Sequence, residues 1–258
     1  MNGILSVLVA AVVTVAGGSS LPGNCMGCTF VGRNLRGADL SRVDYTGVDF
    51  TRSDLRDANL RAAKLTGVNF NGADLRGADF AQAKLVGVDL RGAHVAGATF
   101  SGATLTGVNL RGVFNGLGSI DARALLWRCT GCDARGADIA GFDLSGISVI
   151  GGDFVEARAA GTRFARADLQ GVDFAGADLR NADFRSAKLC SINSDVSGTR
   201  SEPSGRIHCV GLRGAGVRGA DFRGALLCEG NSPNRCSPVD AATLREASRS
   251  DLDGALLP

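Results

Sequence analysis

Large apolar side chains fall on every fifth position from Phe30 to Leu110 without a break. In NGADLRGADFAQAKLVGVDL, residues 71–90, they are Leu75, Phe80, Leu85 and Leu90. A helix advances about 100° per residue, so positions five apart drift about 140° around it and share no face. A flat strand fails too, because its side chains alternate and every second member of the series would point to the wrong side. The chain must therefore turn a corner within each repeat.

The interior of one repeat shows how. In GADLR the small Ala73 and the large Leu75 lie two apart, so in extended backbone both point inward while Asp74 points out and Gly72 supplies the bend. A second period of twenty lies on top of the first. Val takes the small inward position at Val48, Val68, Val88 and Val108, with a further Val at Val43, and Phe recurs at Phe30, Phe50 and Phe70 and again at Phe80 and Phe100. Four five-residue walls then make one coil, and residues twenty apart stack at the strand spacing of about 4.8 Å.

GADLRGADF, GVDFAGADLRNADF and GADFRGALL resemble the pentapeptide-repeat family, whose units read roughly A-[DN]-[LF]-x-x. The resemblance covers most of residues 28–227 and implies an all-β fold: a right-handed four-sided parallel β-helix. It implies little about function, because repeat families share architecture more than activity. Arg33, Ser53, Phe142 and Ile147 depart from the pattern at small inward positions, and Ala134 and Ala159 at large ones. Distorted coils are expected there.

The frame changes along the chain and divides it. After a leader at 1–20, the first array spans 24–113. A break at 114–132 carries a short helix, started by Asp121 and running through Leu126, and a C-x-G-C cap. The second array spans 133–190, with Phe pairs at Phe154 and Phe174 and at Phe164 and Phe184, and a polar inserted loop covers 191–208. A short third array occupies 209–228, and 229–258 hold a loop and a C-terminal cap in which the third frame returns at Leu252 and Leu257.

Export is expected from the amino terminus. ILSVLVAAVVTVA, residues 4–16, is a mainly apolar stretch too short for a membrane span of about 20 residues but suited to a signal peptide, and GGSS follows it. No Lys or Arg precedes it, so an uncleaved membrane anchor through residues 4–16 is the alternative to a periplasmic or secreted protein.

The eight cysteines agree with export. Cys190 and Cys209 bracket one loop and Cys228 and Cys236 another, so a disulfide is expected across each. NCMGCTF and RCTGCDA open the first two arrays, and the second also resembles the C-x-G-C-D opening ahead of some bacterial pentapeptide arrays. Cys25 with Cys28, and Cys129 with Cys132, read as end caps holding local disulfides or buried thiols. The alternatives are a redox dithiol, which lacks a thioredoxin-like context, and a shared zinc, which would require the arrays to fold back on each other.

No catalytic constellation, metal site or cofactor motif is visible. His94 takes an outward slot and His208 a loop, both read as solvated surface residues. The recurring Asp residues read as scaffold. An outer-face enzyme acting on polysaccharide stays as an alternative. Some members of the family resemble acidic DNA and protect gyrase in the cytoplasm, but a formal charge of +2 disfavours that role and gives no strong nucleic-acid footprint. Arg36, Arg56 and Arg76 should stack on one outer face, and Arg91 and Arg111 on another. The first three read either as a ladder balanced by Asp54 and Asp74 or as a stripe for an anionic envelope polymer, a lipid headgroup or an acidic protein partner. The combined reading is a non-catalytic envelope or secreted scaffold that binds an unidentified partner through a rigid face.

Overall fold

The structure is a computed structural model describing residues 12–14, 20–192, 207–229, 235–248 and 252–258. It is a right-handed four-sided β-solenoid with about 20 residues per coil. The regular strands are short: β1 (Val12–Thr14), β2 (Ser20–Pro22), β3 (Asn24–Met26), β4 (Asp44–Thr46), β5 (Lys64–Thr66), β6 (Lys84–Val86) and β7 (Thr104–Thr106). After helix α1 (Ser119–Leu126) come β8 (Arg128–Thr130), β9 (Ser148–Ile150), β10 (Lys188–Ile192), β11 (Ile207–Cys209), β12 (Leu226–Glu229), β13 (Cys236–Pro238) and helix α2 (Ala241–Ser248).

Strands β3 to β9 form one parallel sheet in chain order, which is one wall of the solenoid. The other walls are held by single bridges such as Asp49 to Asn69, Asp54 to Asp74 and Asp79 to Thr99. Most inward pairs bury one small and one large side chain, and like commonly stacks on like. Phe50 and Phe70 stack at 5.3 Å, Phe80 and Phe100 at 5.0 Å, and Phe164 and Phe184 at 5.1 Å. Corners use left-handed backbone, by Gly at most repeats and by residues such as Ala62 (φ 55°) at others.

The first two arrays are one stack. Leu105 pairs with Cys129 and Asn109 with Asp133, 24 residues apart, and the ladder resumes at intervals of 20 above them. The third array joins through Asp173 to Gly211, 38 apart, and the C-terminal segment through Asp221 to Leu256, 35 apart. These excesses over one coil explain the frame changes. The first shifts the large position to Ala134 and the second to Leu212, while the third is a whole number of repeats, so Leu252 and Leu257 keep the frame of Leu227.

Several expectations need correction. The C-x-G-C at Cys129 is not an end cap, because β8 is paired on both sides, with β7 and β9. Helix α1 begins at Ser119 rather than at Asp121, and its N-cap, Gly118, makes no side-chain cap bond. Burial of Ala122, Leu125 and Leu126 fixes the helix, and Asp121 sits in the first turn, where the helix dipole favours a carboxylate. The departures from the repeat do not break the ladder. Arg163 donates to the Phe142 carbonyl and Asp168 to that of Ile147, both at 2.8 Å, while Ala134 and Ala159 donate upward in register. Ser53 stays inward because its hydroxyl donates to the Phe50 carbonyl at 2.7 Å, whereas Arg33, in the first coil, is exposed.

Of the leader, only Val12–Thr14 and Ser20 are described, and β1 pairs antiparallel with β2. The rest of the signal-peptide reading lies outside the described residues. No described helix is long and apolar enough to cross a membrane.

Candidate functional site

The outer faces are built by one local device. At Asp54, Asp74, Asp89, Asp133, Asp178, Asp183 and Asp221 the carboxylate accepts the backbone N–H two residues on, closing the corner as an Asx turn. In each case the residue two on is Arg, whose guanidinium folds back on the same carboxylate. The pairs Arg56–Asp54, Arg76–Asp74 and Arg135–Asp133 lie at 2.5, 2.6 and 2.5 Å. The outward Asp is thus part of the turn and not merely tolerated by it. The D-x-R spacing in the sequence carried that signal unread.

These clasps set the electrostatics. The Arg56 guanidinium pulls the Asp54 carboxyl down to about 2. Hydrogen bonds from Arg76, Arg135 and Arg185 hold Asp74, Asp133 and Asp183, respectively, below the usual carboxylate range. The stripe read from the sequence is spent internally. Arg56 bridges Asp54 and, at 3.6 Å, Asp74; Arg76 pairs with Asp74; and Arg36 pairs with Asp57 at 3.2 Å. On the other wall Arg91 pairs with Asp89.

The cysteines close the interruptions. Cys190 and Cys209 face each other across an antiparallel pair, β10 with β11, and are joined. Cys228 and Cys236 do the same across β12 and β13. Each inserted loop therefore leaves the solenoid through a hairpin stapled at its base. Cys25–Cys28 and Cys129–Cys132 are joined locally across one corner. His208 lies in β11 opposite Ser191 rather than in a loop, because the hairpin extends past Cys209. His94 is exposed on its outward slot. Among the described residues no three His, Cys, Asp or Glu side chains are grouped to hold a metal.

A concavity breaks the smooth faces. Where α1 replaces two walls of a coil, a groove of about 540 Å³ opens between the Gly97–Gly102 edge and Ile120, Asp121, Arg123 and Trp127. The Arg123 guanidinium lies 5.5 Å from the Trp127 ring centroid.

A stack of four-walled coils with paired outer charges and stapled insertions defines a repeat scaffold. The model for pentapeptide repeats matches the sequence in eight copies, over residues 24–61, 34–72, 53–92, 73–112 and 153–189. The chain belongs to the pentapeptide-repeat family. Comparison with curated proteins gives no match. Among solved structures it is similar to HetL, a pentapeptide-repeat protein involved in heterocyst differentiation regulation from the cyanobacterium Nostoc, at 24% identity over 78% of this chain and 84% of that one, with a TM-score of 0.28. It is also similar to full-length QnrB1, a plasmid-mediated fluoroquinolone resistance protein, at 18% identity over 87% and 98% of the two chains, with a TM-score of 0.29.

Proposed function

We propose that this protein is a non-catalytic interaction rod of the bacterial envelope or secreted space. The observation that supports it is the use of the cysteines: all eight are in disulfides, and two of these seal the loops that interrupt the solenoid. Such bonds persist in oxidising compartments and are rare in reducing ones. The apolar leader at residues 4–16 points the same way. A cytoplasmic DNA mimic needs a strongly negative face, whereas here the outward carboxylates are clasped by Arg. Those same clasps leave Arg36, Arg56 and Arg76 little free charge for an anionic polymer, so the partner is better read as a protein.

Intact mass of the protein from its native host, with and without reductant and alkylation, tests this. Loss of roughly the first 16 to 24 residues with two or more disulfides is expected. An uncleaved chain with eight free thiols would overturn the extracellular reading.

A further inference from the structure

The hydrogen-bond ladder stops on two walls at α1, that of Val95 and Gly97 and that of Phe100 and Gly102, and the second lines the groove. Below that point it runs regularly: Phe80 donates to the Thr99 carbonyl and Gln82 to that of Ser101, both at 2.8 Å, while Thr99 donates to Ala78 at 2.9 Å. One level higher α1 takes the place of the next wall. The N–H groups of Phe100 and Gly102 and the carbonyl of Ala98, the next members of those three series, have no hydrogen-bond partner among the described residues. In chain order, from Ala98 through Phe100 to Gly102, they offer acceptor, donor and donor, the pattern that a parallel strand would meet.

Ala98, Phe100 and Gly102 line the 540 Å³ groove, and its other wall supplies side-chain chemistry. Ile120 is 85% exposed and Trp127 44%, whereas most other large apolar side chains among the described residues are inside, Met26, Val31 and Leu256 excepted. Arg123 is engaged with the Trp127 ring and lies 4.0 Å from Asp143. Arg123 shares Asp143 with Arg163, which lies 3.8 Å from it, whereas Asp121 has no ion-pair partner among the described residues and is the unpaired carboxylate of the groove. Most of the other outward carboxylates along the walls are clasped.

We propose that this edge receives an extended peptide segment of a partner protein. Its backbone continues the ladder on Phe100, Gly102 and Ala98, a basic side chain meets Asp121, and an apolar one lies against Ile120 and Trp127. The proposal names the partner chemistry of the interaction rod and rests on that reading, but not on where the protein resides.

Trp127 is the only tryptophan, so binding in the groove has its own fluorescence signal. A random seven-residue peptide library would be selected against the full chain, and the enriched sequences synthesised. Sequences combining a basic and an apolar residue should enrich and shift Trp127 emission. Asp121→Asn should weaken them about fivefold. N-methylation of the peptide nitrogen that donates to Ala98 should weaken them about tenfold, a comparison that needs no protein variant. Enrichment of nothing, or unchanged binding on either substitution, overturns the proposal. The intact-mass experiment does not involve the groove, so either reading can fail alone.

Discussion

Leu105 and Cys129 are register partners on one ladder although 24 residues separate them, where Leu85 and Leu105 are 20 apart. The extra residues are absorbed by α1 on other walls, so this wall runs on without a seam. Gly107 donates to Thr130 at 2.8 Å and Leu110 to Asp133 at 2.7 Å across the junction. In hydrogen exchange these two amides should be protected as well as Gly67 and Leu90, deep in the first array, while Phe100 and Gly102 exchange fast. Rapid exchange at Gly107 and Leu110 would mean two arrays that stack loosely.

Tyr45 is the only tyrosine, is fully buried, and donates its hydroxyl to the Pro22 carbonyl at 2.7 Å. Burial pushes its phenol up to about 12. Below pH 10 folded and unfolded chains both keep the proton, and above it the unfolded chain ionises first, so stability should fall as pH rises from 10 towards 12. Ultraviolet absorbance of the phenolate should show tyrosinate forming near pH 12, and a midpoint near 10 would refute the burial.

Acid acts on the clasps with the opposite sign. Asp54, at about 2 in the fold, contributes stability above its ordinary value of 3.8 and loses that contribution as pH falls through 2. The side chain is partly exposed, so the effect of any single clasp is small. Carboxyl carbon shifts followed by NMR should show Asp54 titrating well below Asp residues without such an Arg; a midpoint near 3.8 would show that the clasp is open in solution.

The corner conformation makes paired predictions. Gly47 (φ 62°) has open space where a Cβ would stand, so Gly47→Ala tests backbone strain alone and should cost about 1 kcal/mol. Ala62 (φ 55°) already bears that strain, and Ala62→Gly should recover a similar amount, about 0.5–1 kcal/mol after the added chain entropy. Urea unfolding midpoints moving in opposite directions would support this, and movement in the same direction would not.

The repeat was legible because its physics is local and periodic. A five-residue wall needs a small inward residue, a large one and a corner, and Phe50 over Phe30 shows the twenty-residue register directly. The stapled loops were legible for the same reason: Cys190 and Cys209 stand where the frame stops and restarts. What joins the arrays was not, because a frame shift gives an insertion only modulo five and says nothing about which walls absorb it. Helix α2 was missed. Its signal was Asp240, which accepts the Thr243 N–H at 2.8 Å as an N-cap, with Leu244 buried behind it, but this single turn of pattern lies between Pro238 and a returning repeat. The groove was invisible for a different reason: Asp121 and Gly102 are ordinary residues in ordinary sequence, and only the displaced wall leaves their groups unmatched.

Because residues on a wall within one array meet their counterparts twenty positions away, the rod grows or shrinks in whole layers of about 4.8 Å. A tandem copy of residues 65–84 would present the same row of hydrogen bonds to both of its new neighbours, and the molecule would lengthen without any interior surface having to be redesigned. Length is then a quantised, freely adjustable property. The stapled hairpins and the α1 groove are fittings whose height along the rod can be reset by adding or removing coils beneath them.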